Sequence, residues 1–205
     1  MCRGWAEEEF GHAKLGNSLR TRRIVSMAEA LHAKPAGKVT EVFPEGKERQ
    51  GAYKALENGL INPDALEWAR NLACARRMEE LGGTIVVSVD KTSIQLSDRE
   101  GVRNFGGVGN WRFGTRGVQV ITGLALDGEG APLGVLYQRI SARRGSTSPK
   151  RKPGHKSRTR ERDRRPPSKR ESIVWVEAML QLHTFAAEHA PSARVWFQLD
   201  RWVSG

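Results

Sequence analysis

Two cysteines, Cys2 and Cys74, are the only thiols in 205 residues, too few for a disulfide framework or a thiolate zinc site. No stretch approaches the roughly 18 consecutive apolar residues of a membrane-crossing helix, and the opening MCRGWAEEEFGHAK has no apolar signal core. A reducing, cytoplasmic setting with no membrane partner is therefore expected. There is no phosphate-binding loop of the GxxxxGK kind. The five histidines have no metal-ligand spacing, and no serine or cysteine triad has local support. Carboxylates and cations are left as the groups able to carry chemistry.

Positive charge is abundant: 34 Lys and Arg stand against 23 Asp and Glu, a net of +11. The excess is confined to one place. Residues 143–170 hold 13 basic and 2 acidic residues and none of the apolar set, while the remainder carries 21 of each sign. Such a stretch cannot bury apolar area against the entropy of ordering it, so it reads as a disordered basic loop. Its partner is either a polyanion such as nucleic acid, bound through counterion release, or solvent alone; a localisation signal or a membrane-surface role is a further alternative, without an amphipathic helix in its support.

Residues 5–82 read as helical. In SLRTRRIVSMAEALHA, Leu19, Ile24, Met27, Ala28 and Leu31 recur near helical spacing, with Arg20, Arg22 and Arg23 gathered at the start. Those arginines either face DNA or are simply an exposed helix start. A break at KPAG precedes a second helix over KERQGAYKALENG. A third opens on Asn62 as N-cap with Pro63 in the first turn, and stops at Gly82 and Gly83.

From Thr84 the period becomes that of strands. TIVVSVD is the first, SIQLSD continues it or pairs nearby, and VQVITGLAL and PLGVLYQRI form an antiparallel hairpin across Asp127-Gly128. ESIVWVEAMLQLHTFAAEHA predicts a helix wet along Glu177, Gln181, Thr184 and Glu188, with His183 packed on it. ARVWFQLD is the last strand. A helical crossover returns a strand parallel to its predecessor. If residues 193–199 lie beside 84–90, Asp90 and Asp200 meet at one end of the sheet. Two close carboxylates repel each other, and divalent metal is the usual resolution. Arg112 and Arg116, in NWRFGTRG, are expected near that site as a DNA-facing loop or as an ordinary glycine-rich turn.

Four segments resemble the DDE transposases of bacterial insertion sequences, in the cut-and-paste subgroup typified by transposon Tn-five. WAEEEFGHAKLGNSLRTRRIVSMAEAL is similar to the family's N-terminal DNA-binding opening, and QGAYKALEN to its Gly-Ala-Tyr helix. VDKTSIQL resembles the first catalytic strand and QLDR the start of the second catalytic segment. The resemblance implies an α/β chain: a helical DNA-end-binding domain over residues 1–82, then a partial ribonuclease-H-like domain over 83–205. It implies cleavage and strand transfer at transposon ends with Mg²⁺ (or Mn²⁺), with Asp90 and Asp200 as the first two members of a metal-binding triad. Double-stranded DNA of the terminal repeats would be the partner, contacted by Arg20, Arg23 and Lys54, with a second or intact transposase as dimer mate. Lys91 stands where the family often has threonine. The match stops after Arg201 without the family's third carboxylate, so a truncated, inactive copy that still binds DNA is expected. The alternatives are a non-catalytic regulator of transposition and a basic RNA-associated protein.

Overall fold

The computed structural model describes residues 4–97, 103, 105–108, 115–142 and 173–199. Asp98, Arg112, Asp200 and the basic stretch 143–170 lie outside the described residues. Five helices precede the sheet: α1 (Trp5–Phe10), α2 (Ser18–Ala33), α3 (Val39–Val42), α4 (Gly46–Leu56) and α5 (Pro63–Leu81). The longer ones begin where the sequence supplies a cap. The Asn17 side chain accepts from Leu19 N at 2.7 Å to open α2. That of Asn62 accepts from Asp64 N at 2.9 Å to open α5, with Pro63 in the first turn. Gly82 and Gly83 leave α5 with φ of 64° and 72°, a region that glycine enters without a Cβ penalty.

The sheet holds β1 (Gly83–Gln95), β2 (Gly106–Gly107), β3 (Arg116–Leu126), β4 (Pro132–Ser141) and β5 (Ala193–Leu199), with α6 (Ile173–His189) before the last strand. β1 pairs antiparallel with β3 and parallel with β5, while β3 also pairs with β4 and β2. SIQ therefore continues the first strand rather than forming another. The hairpin turn is built as expected, since Asp127 Oδ1 accepts from the backbone of Glu129 at 2.9 Å and Ala131 at 2.7 Å. The chain is thus α/β, helices first and a mixed sheet after.

The larger core lies between one face of the sheet and two helices. Ile85, Val87 and Val89 alternate along β1 toward Cys74, Ala75 and Met78 of α5 and Trp175, Ala178, Leu182 and Ala186 of α6. Each large side chain wholly enclosed there contributes roughly 1.5–3 kcal/mol. α6 seats closely on β3, because a Cβ at Gly123 would lie 2.9 Å from Leu182 Cδ1. Burial also holds the Cys74 thiol protonated, with its pKa pushed up to about 12.

Two smaller clusters hold the N-terminal helices. Met27, Val42, Phe43, Ala52 and Ala55 join α2, α3 and α4. Ala13, Leu15 and Ala69 join the α1–α2 connection to α5. α5 thus serves two cores, with Ala69 toward the N-terminal helices and Cys74, Ala75 and Met78 toward the sheet.

Three expected faces differ. On α2, Leu19 and Leu31 are exposed and Val25 and Met27 are the buried pair, because the cluster against α3 and α4 sits to one side of the apolar stripe. On α6, Val176 and Leu180 are exposed and His183 faces outward, so the buried stripe is narrower than the apolar composition suggests. Finally, Asp90 lies within β1 rather than at its end, and it is exposed. The cost of a buried, unpaired carboxylate therefore does not arise.

Candidate nucleic-acid interface and carboxylate site

α2 and α4 bring together most of the cations read from the first eighty residues. Arg22 and Arg23 occupy the exposed arc of α2. Arg23 crosses onto α4 at Gly51, where a Cβ would meet its guanidinium at 3.2 Å. A larger residue at 51 would displace that guanidinium. On α4, Lys47, Gln50 and Lys54 recur at helical spacing and are all exposed, with Tyr53 exposed beside them. The spacing sets the two lysines on the side of α4 adjoining Gly51, so Arg23, Lys47 and Lys54 share one surface. Lys47 and Gln50 escaped the sequence reading, although their spacing of seven and four residues from Lys54 was a signal for them.

Arg20 behaves differently. It is partly buried and its Nη1 donates to the Leu15 carbonyl at 2.9 Å, while the neighbouring Thr21 hydroxyl donates to the Ala13 carbonyl at 3.2 Å. Both brace the chain that leads into α2. Arg49 does the same for the entry to α4, donating to the carbonyls of Phe43 at 3.1 Å and Pro44 at 3.2 Å.

The second site begins from Asp90. A two-residue period puts it on the face of β1 opposite Val87 and Val89, away from α5 and α6. Its Oδ2 accepts from the Thr92 hydroxyl at 2.9 Å, and Thr122 of β3 stands across from it. That hydroxyl orients the carboxylate without neutralising it. On the other side, β5 runs parallel in the register Val87↔Phe197, Ser88↔Gln198 and Val89↔Leu199. The return of the last strand beside the first is therefore observed up to the residue before Asp200.

Among the described residues, no three His, Cys, Asp or Glu side chains gather to hold a metal ion. Asp90 offers the hard oxygen that Mg²⁺ prefers, but one carboxylate is short of a coordination set. Arg116 does not join it. The Asp90↔Thr122 pairing puts Arg116 six residues further along β3, about 20 Å away at the rise of an extended strand. It opens β3 opposite Gly107, at the far end of the ladder. The expectation that it lies near Asp90 failed because β1 runs on past Asp90 to Gln95, and β3 begins beside that far end.

No helix among the described residues is long and apolar enough to cross a membrane. Residues 2–61, which contain α1 to α4 and the whole cationic surface of α2 and α4, match the family model described as Transposase DNA-binding.

Proposed function

We propose that α2 and α4 grip double-stranded DNA at the terminal repeats of a transposon, and that the chain is a DDE transposase of the cut-and-paste kind. The contact of Arg23 with Gly51 carries the reading. It lies within the matched residues 2–61 and gathers the cations of two helices onto one surface. A surface of this kind neutralises phosphates and releases their counterions. In this reading the DNA-end unit comprises residues 1–82, the ribonuclease-H-like unit comprises 83–205, and a second transposase copy engages the other end.

Asp90 and Asp200 are the carboxylates assigned to Mg²⁺ (or Mn²⁺). Leu199 pairs with Val89; one step along β1 is Asp90, and one step along the chain is Asp200. Consecutive Cα atoms are about 3.8 Å apart and paired strands about 4.8 Å. A strand prolonged by one residue therefore supports two carboxylates at one ion. When bound, the metal supplies the charge that offsets carboxylate repulsion and helps activate water at a phosphodiester. The protein's own part is to aim Asp90 through the Thr92 hydroxyl. These 205 residues carry two of the three carboxylates that the resemblance implies. The polypeptide assayed by itself is accordingly a DNA binder that does not cleave efficiently.

Selection from a random duplex library tests the reading. The chain should enrich one recurring motif, hold it above unselected duplex at moderate salt, and prefer it to structured RNA of equal length. Enrichment without a motif, or equal competition by the RNA, would remove the terminal-repeat assignment.

A further inference from the structure

Among the described residues, Glu9 is the one charged side chain that is buried, at 5% exposure. It belongs to α1, which packs on both α2 and α5. Its partner is Arg77 of α5, 68 residues away, whose Nη2 lies 2.5 Å from Glu9 Oε1. The same guanidinium donates through Nε to the carbonyl of Leu133, at the start of β4, also at 2.5 Å. Gly134 makes room for it, because a Cβ there would come within 2.7 Å of Arg77 Nη2, and its φ of 144° suits glycine alone. One guanidinium therefore ties α5, the helix shared by two cores, to two other elements: the helix beside the DNA-facing α2, and the hairpin paired through β3 to the strand of Asp90.

We propose that Glu9 and Arg77 are positioning residues, a joint that fixes the orientation of the DNA-end helices relative to the sheet carrying Asp90. For its relevance to DNA, this rests on the reading given above. The apolar cluster of Ala13, Leu15 and Ala69 also joins the N-terminal helices to α5, which packs on the sheet. Such contacts are non-directional and allow small side chains to slide. With Glu9 buried and Arg77 partly exposed, the ion pair adds little net stability compared with apolar packing, but it is satisfied in only one arrangement, and fixing register is the best-attested use of such pairs. Arg77 adds a second constraint, because its planar fork must meet a carboxylate and a carbonyl at once. The joint thus sets where a DNA end held by α2 and α4 falls relative to Asp90.

The test measures orientation and needs no DNA, so it stands or fails separately from the terminal-repeat reading. Nitroxides are attached at Leu56→Cys, exposed at the end of α4, and Ile140→Cys, exposed on β4, in a Cys2→Ser background. Cys74 is buried and stays unlabelled. Pulsed dipolar spectroscopy should give one narrow distance distribution for the otherwise unchanged chain, and at least a twofold broader one for Glu9→Ala and for Arg77→Met. Glu9→Gln keeps the shape and a hydrogen bond, and should fall between. If Glu9→Ala does not fold, Glu9→Gln and Arg77→Met decide. A lowered melting temperature with an unchanged width in the folded variants would overturn the proposal, because the pair would then stabilise without positioning.

Discussion

Neutralising Arg22, Arg23, Lys47 and Lys54 together, each to glutamine, should lower duplex affinity roughly a thousandfold at about 0.1 M salt, measured by fluorescence anisotropy. The size follows from counterion release. Each phosphate neutralised contributes about 0.9 to the slope of log K against log salt, so four contacts make up a slope of roughly 3 to 4. The variant should therefore show a flatter salt dependence as well as weaker binding, and the two curves should converge as salt rises. Folding should change little, because all four side chains are exposed and surface substitutions of this kind usually lie within about 0.5 kcal/mol. Arg20→Gln is the internal contrast. It removes the donor to the Leu15 carbonyl, so it should lower stability more than affinity. Equal salt slopes in the parent and the fourfold variant would show that the α2–α4 surface does not meet phosphate.

The second large effect concerns the crossover that brings β5 back beside β1. Leu182 of α6 is 1% exposed and seats over Gly123, so Leu182→Ala removes buried methyl groups where closely packed neighbours restrict collapse. The expected loss is about 3 kcal/mol, within the usual range of roughly 2–5 kcal/mol for buried leucine. Urea unfolding measures it, and hydrogen exchange should show the β5 amides losing protection along with α6. Leu180→Ala, two residues away but 63% exposed, should change stability by less than about 0.5 kcal/mol. Similar costs at the two positions would mean that α6 packs through a different face.

That contrast also marks how far the sequence could be read. The bounds of α5 were legible because Asn62, Pro63 and the Gly82-Gly83 pair act locally, whereas the Asn17 cap of α2 went unread. The strands were legible through their two-residue period, and the parallel return through the helix between two of them. The buried side of α6 was not. Apolar residues lie almost all round it, and only the tertiary neighbours distinguish Leu182 from Leu180. The short helices α1 and α3 carry too few residues to show a period. Arg20 and Arg23 look alike in the sequence, yet one braces a loop and the other crosses to α4, a difference set by Leu15 and Gly51. The Glu9–Arg77 pair spans 68 residues, and nothing local announces it.

The carboxylate half of the account was legible only in part. β5 lies parallel beside β1, as the helical crossover led one to expect, and the Thr92 hydroxyl on Asp90 Oδ2 adds a detail that the spacing of two residues allows but does not demand. The nearness of Arg116 to Asp90 was misjudged because the length of β1 beyond Asp90 depends on pairing with β3 rather than on residue type.

A Mn²⁺ titration of the whole chain, read by electron paramagnetic resonance of the free ion, tests the shared-ion site most directly. One weak binding class is expected, displaced by Mg²⁺ and lost to a similar extent in Asp90→Asn and in Asp200→Asn. Mn²⁺ binding that survives both substitutions, or that depends on only one of them, would contradict it.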